Sequence, residues 1–161
     1  MSYFDLGSHR KSVSTASKEA QLWFDRGLNW CFGFNQEEGV ACFQKALEYD
    51  PQCVMAYWGI AYAAGPFYNL PWRHFGEEES TECTKFCYEQ IQKARQYAAS
   101  ASALENALVE ALSFRFQKPH PVSPEDFDHW DKGYSDAMRK VYKRFPDDHD
   151  VAALFIEALI T

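Results

Sequence analysis

The residue types able to do chemistry are present in this chain but thinly spread. Cys83 and Cys87 stand one helical turn apart, a spacing that can bring two thiolates to one metal ion. No histidine or further cysteine follows at ligand spacing, and small thiols at that interval pack well between helices. The expectation is a packed pair and no metal. Cys31, Cys42 and Cys53 recur every eleven residues, which on successive helices describes small packing positions. Glu37, Glu38 and Glu82 surround the thiols with negative charge, the opposite of the setting that makes a reactive thiolate. His129 lies beside Asp126 and Asp128 as a base beside an orienting carboxylate would, yet no serine or cysteine nucleophile motif accompanies it. His9, His74, His120 and His149 are scattered. With no Gly-rich phosphate loop, no HExxH and no GxSxG, the sequence predicts no catalytic residue, no cofactor and no enzyme.

Bulk properties narrow the partners. The 161 residues are 47% hydrophobic and 17% aromatic, enough to bury a core, and the net charge is −7. Nucleic acid and anionic membrane both select positive surface, so neither is an expected partner. Five cysteines are an odd number, and "MSYFDLGSHRKS" lacks the apolar run of a signal peptide; free thiols in a reducing cytoplasm follow. Residues 53–72 are uncharged over the length of a membrane span, but Gly59, Gly65, Asn69, Pro66 and Pro71 favour a buried helix of a water-soluble fold.

Helical periodicity organises the rest, and the expected class is all-α with about seven helices. After an irregular arm over 1–16, with Ser14, Thr15 and Ser17 as candidate caps, a first helix spans 18–34 and ends at Gly33 and Asn35. A second spans 36–49 and stops at Asp50-Pro51. A third covers 52–64. The tract "GPFYNLPW" breaks the helical ladder at Pro66 and Pro71, and a fourth helix then runs over 77–99, with Glu77, Glu78 and Glu79 at its positive end. The fifth spans 101–116. "QKPHPVSP" forbids helix, Ser123-Pro124-Glu125-Asp126 starts the sixth, Pro146 ends it, and a seventh begins at Asp148. No stretch alternates long enough to predict a sheet.

A repeat underlies these helices. Trp23, Gly27, Trp30, Gly39, Phe43, Ala46 and Pro51 follow one another as bulky and small residues that let two helices approach, fill the space beside them and close the unit. Tyr57, Ile60 and Ala61 begin the pattern again about 34 residues later. "QKALEYD" at 44 and "QKARQYA" at 92 echo each other 48 residues apart, so about 14 residues are added to the second unit. The pattern resembles a tetratricopeptide repeat. With "DLGSH", "MAYWGIAYAAGP", "YNLPW" and "RFPDDHDVAAL", the chain is similar to a group of soluble bacterial and fungal tetratricopeptide proteins, a likeness that supplies no defined biochemical role. It implies a right-handed stack of antiparallel helical hairpins. The first repeat is 17–51, the second 52–99 with an inserted loop over 65–76, and 100–161 are divergent repeat helices. The last helix is apolar to the end, whereas a solenoid needs a polar cap; a truncated member, a fragment, and self-association through the C-terminal helix are the readings of that end.

The resemblance also implies where a partner sits. Such repeats bind peptides in a concave groove lined by the first helix of each hairpin. Carried over, the groove positions are Gln21, Phe24, Leu28, Cys31 and Phe32, then Met55, Trp58 and Tyr62. None is lysine, arginine or asparagine, so the clamp with which one subgroup holds a C-terminal carboxylate is absent. The apolar groove Phe24, Leu28, Phe32, Met55, Trp58 and Tyr62 must be covered: by a protein partner's peptide or helix, by the loop, or by further helices. In one reading, residues 66–75 fold back so that Phe67, Tyr68 and Trp72 pack against the groove mouth; in the other, the loop caps the second hairpin from outside. The expected function is a cytosolic adaptor or scaffold that mediates protein-protein interaction through this groove. Two alternatives stand beside it: an enzyme or accessory protein of a metabolic pathway, specialised metabolism included, enclosing a small apolar ligand under the loop, and an N-terminal segment of a larger solenoid with a structural role.

Overall fold

A computed structural model describes residues 3–121 and 123–161. Among them are seven α-helices: α1 (Lys18–Phe32), α2 (Gln36–Tyr49), α3 (Val54–Ala64), α4 (Glu77–Gln96), α5 (Ala103–Ser113), α6 (Pro124–Arg144) and α7 (His149–Ile160). Short 3-10 turns cover Trp72–His74 and Ala98–Ser100. No strand forms among the described residues; Phe67 and Leu70 make one isolated antiparallel bridge.

The helices begin where short polar side chains can receive the first free amides. Ser17 accepts from Ala20 N (3.1 Å), Asn35 from Glu38 N (3.3 Å), and Asp148 from Val151 N (3.0 Å). Ser102 and Glu105 close a reciprocal box at α5, and Asp126 accepts from Ser123 N (2.8 Å) at α6. Several ends fall short of the expected bounds. α1 stops at Phe32, α3 starts only at Val54, and α5 ends at Ser113 rather than Phe116. The residue that turns the chain out of α1 is also not the expected one. Phe34, not Gly33, takes the left-handed conformation (φ 61°), and Asn35 N then reaches back to Trp30 O (2.9 Å).

α3 is the hub. It packs against α1, α2, α4 and α5, and of its eleven residues only Tyr57 and Ala64 are not fully buried. Its small residues allow this. A Cβ at Gly59 would lie 2.7 Å from the Phe43 ring, and one at Gly27 in α1 would lie 2.6 Å from the same ring. Phe43 from α2 is thus clasped between two glycine backbones, with Phe24 beside it at 5.4 Å between ring centroids. A Cβ at Gly39 would likewise lie 2.6 Å from Cys31 Sγ. Helices α1, α2 and α3 close around this ring, and the core continues through Leu108, Leu112, Phe116, Tyr134, Met138, Val151 and Leu154 towards α5, α6 and α7.

Residues 3–16 form no helix, yet they are a working part of the fold. They run along α1 and tie it to α5 and α7 through Lys11, Ser14 and His9. Gly59→Ala should therefore lower unfolding free energy by about 1–3 kcal/mol through overpacking. Gly133→Ala, in α6, should raise it by about 0.5–1 kcal/mol, because a Cβ there meets nothing closer than Phe114 Cβ at 3.5 Å. Urea midpoints of the two variants check both signs.

Candidate functional site

The groove expected from the sequence is filled in this structure. Phe24, Leu28, Met55 and Trp58 are at most 1% exposed and Tyr62 is 6% exposed; Phe32 is half-buried against the same core. Trp58 and Tyr62 stack on one another, centroids 5.0 Å apart. These residues come together as expected, but as core and not as an open surface. The physical reason lies in what covers them. α5 packs directly on α3, α6 and α7 extend the same core, and the arm lies over α1.

The arm is held chiefly by its backbone. Asp25 Oδ1 accepts from Lys11 N (3.1 Å), Gln21 Nε2 donates to Lys11 O (2.8 Å), Gln21 Oε1 accepts from Val13 N (2.9 Å), and Asn29 Nδ2 donates to His9 O (3.1 Å). The Lys11 ammonium is buried on Asp148 at 2.7 Å and lies 3.6 Å from Asp150. His9 Nε2 meets Asp150 Oδ1 at 2.9 Å. Ser14 donates to Glu105 through N (2.6 Å) and through its hydroxyl, and Thr15 Oγ1 donates to Asp50 (2.5 Å). Nearer the start, Trp30 Nε1 donates to Tyr3 Oη (2.8 Å), and the Arg26 guanidinium lies over Tyr3 and Trp23. Burial pushes the Asp25 carboxyl above its ordinary range, against the hydrogen bonds it accepts. Burial acts on Glu105 and Asp148 too, but hydrogen bonds from Ser14 and Ser102 to the first, and from Lys11 and Val151 to the second, hold both below the usual values.

The loop between α3 and α4 is the second structured feature. Phe67 and Leu70 exchange two backbone hydrogen bonds (3.2 and 2.9 Å), which sets Tyr68 at an exposed tip, 55% accessible. Trp72 turns inward. It stacks on Phe127 at 4.2 Å and meets Phe75 and Phe116 at 5.2 and 6.2 Å. Of the three loop residues expected over the groove mouth, Trp72 instead joins the loop to α6, Phe67 is half-buried, and Tyr68 faces solvent. Arg115 fixes the start of the loop. Fully buried, it donates to Pro66 O (3.2 Å) and Asp131 Oδ1 (3.0 Å), lies 3.9 Å from Glu157 Oε1, and covers the Tyr134 ring at 4.2 Å. Burial raises Asp131, and Arg115 pulls it back. No signal in the sequence pointed to Arg115; it stands where a helix was expected to continue.

Two open clefts flank the loop. One, of about 710 Å³, is lined by the aromatics Trp72, Phe75 and Phe127, by the acidic Glu77, Glu125 and Asp128, and by Arg73. The other, about 580 Å³, lies between Phe34, Val40, Ala63 and the Phe67–Leu70 turn. Phe75 is common to both. The thiols are placed as packing groups: burial drives Cys31 up to about 12 and Cys53 up to about 11, and Cys83 Sγ contacts both Ala64 O (3.3 Å) and Cys87 Sγ (4.0 Å). Among the described residues, no three His, Cys, Asp or Glu side chains gather as metal ligands, and no helix is long and apolar enough to cross a membrane. On α7, Ile156, Leu159 and Ile160 are exposed.

In comparisons with protein-family models, curated proteins and solved structures, nothing matches the chain. The functional reading therefore rests on these residues and their geometry.

Two outcomes follow. Arg115→Met should cost about 3 kcal/mol, because it removes the buried cation that the part-buried Asp131 and Glu157 carboxylates face, and adding Asp131→Asn should recover part of the loss in a chemical-denaturation series. The pH dependence of the arm's attachment has a definite sign. The folded values of Glu105 and Asp148 lie below the ordinary 4.5 and 3.8, so the stability they contribute is complete above those values and is lost as the pH falls through the lower folded ones. In thermal melts followed from about pH 5 to pH 3, Glu105→Gln should start less stable and fall less steeply than the wild type.

Proposed function

We propose that the chain is an adaptor, a tetratricopeptide-like right-handed stack of antiparallel hairpins whose protein partner enters the larger cleft beside the inserted loop. One observation carries this reading: the loop is tied to the helical body at both ends and stands as a wall of the cleft. Trp72 on Phe127 and Arg115 on Pro66 O fix its two ends, so the wall needs no ordering when a ligand arrives, which lowers the entropic cost of binding.

The chemistry of the cleft supports a particular class of partner. Its aromatic residues suit an apolar side chain, and its lining also carries Glu77, Glu125 and Asp128 against the single cation Arg73. Glu125 is held below its ordinary range by its own backbone N–H and the Ser123 hydroxyl, so it is a carboxylate at neutral pH. A partner segment that alternates lysine or arginine with apolar residues complements both features. The chain's charge of −7 favours the same encounter. Both clefts are open, which supports a protein segment over an enclosed small apolar ligand. A reducing cytosol is the compartment this reading assigns, since the five cysteines are free.

A fluorescein-labelled peptide alternating lysine with phenylalanine is the direct probe. Its anisotropy should titrate with the full chain at low salt, and Glu125→Gln with Asp128→Asn should weaken binding about fivefold, as expected for two screened charges. A matching peptide of glutamate and phenylalanine should not bind. Equal binding of both peptides, or no effect of the double substitution, would contradict the assignment.

A further inference from the structure

The arm shows, by its own contacts, what the face of α1 can hold. Gln21, Asp25 and Asn29 stand at successive turns, and they engage the backbone of Val13 and Lys11, of Lys11, and of His9 in turn. The spacing has a physical basis. Four helical residues advance about 6 Å and two extended residues about 6.6 Å, so an extended chain running antiparallel to the helix presents a backbone group to every turn. Main-chain recognition of this kind is indifferent to most side chains.

One side chain is read specifically. Lys11 is 8% exposed, and its ammonium sits at 2.7 Å from Asp148 and 3.6 Å from Asp150. Two residues further on, Val13 packs against the core, and Ser14 donates twice to Glu105. Apart from Lys11, every arm residue from Tyr3 to Ala16 is half-buried or exposed, so polar contacts rather than apolar burial hold the segment. Segments anchored in this way open locally at a fraction of the global unfolding free energy.

We infer that the α1 face, closed at one end by Asp148 and Asp150, is a second binding site, for a partner's extended segment carrying a lysine two residues before a valine-sized residue. The chain's own arm occupies it in cis and competes with the partner. This site is separate from the loop cleft and does not depend on it. A cis segment on a short tether acts at an effective concentration near millimolar, so it suppresses binding of any free segment of similar intrinsic affinity.

The probe is the fluorescein-labelled peptide GSHRKSVSTA, the sequence of residues 7–16, titrated by anisotropy into the full chain. Lys11→Glu in the chain repels its own arm from Asp148 and Asp150, and should bind the probe at least tenfold more tightly than the wild type. Gln21→Ala added to that variant should abolish the gain, and a probe with glutamate in place of its lysine should not bind. Glu89→Gln, on the exposed face of α4, should leave the affinity unchanged. Lys11→Met, which keeps the aliphatic stem, carries the same comparison if Lys11→Glu does not fold. Failure of the probe to bind a folded arm variant at millimolar concentration would overturn the inference. So would equal affinity for wild type and variant. A concentration-dependent dimer in sedimentation with no probe uptake would overturn it in favour of arm exchange between two copies.

Discussion

The ring of Phe43 lies against two backbones at once, those of Gly27 in α1 and Gly59 in α3, at distances no larger residue would permit. That contact sets the separation of the first three helices. Because α1 and α3 approach so closely, their facing side chains Phe24, Leu28, Met55 and Trp58 meet one another and the later helices rather than water. Dense packing of this kind is intolerant of added volume, so the glycines, more than any polar contact, decide the geometry on which every other surface depends.

Closing the apolar face shifts recognition to polar and mixed surfaces. What is left over α1 is a row of Gln21, Asp25 and Asn29, which satisfies a backbone instead of a side chain. What is left beside the loop is a cleft lined by aromatic and acidic residues. Both follow from how the chain accommodates residues that the hairpin pattern does not absorb. The arm needs partners for its amides once it is laid against a helix, and the loop after α3 must bring its carbonyl at Pro66 and its indole at Trp72 into a place already occupied by a packed core. Arg115 and Phe127 supply that place. The polar knot around Arg115 is costly if broken, which makes the loop's position a property of the whole C-terminal half.

Much of the helical framework was legible in the sequence, for local reasons. Capping residues such as Ser17, Ser123 and Asp148 and the breakers Pro51, Pro66 and Pro146 act through neighbours a few residues away. The small-residue positions Gly27 and Gly39 also announced close approach correctly. The reading went astray where the outcome depended on distant segments. Apolar residues on the first and third helices fit an open groove and a buried core equally well, and only the packing of α5, α6 and α7 separates the two. Lys11 and Arg115 carried no signal, because a cationic side chain is normally solvated; their burial depends on Asp148, Asp150 and Asp131, each more than a dozen residues away in the chain. Gly33 promised the left-handed turn that Phe34 makes, since the six-residue closure from Asn35 to Trp30 places that conformation one residue later.

The central claim is that the α1 face is occupied by the chain's own arm. Amide hydrogen exchange of the full chain at neutral pH tests it most directly. The account predicts that the amides of Lys11, Val13 and Ser14, each donated to a side chain of the helical body, exchange well below the random-coil rate yet faster than those of α3. Coil-like exchange at these three positions, with α1 and α3 still protected, would contradict it and restore an open face along the first helix.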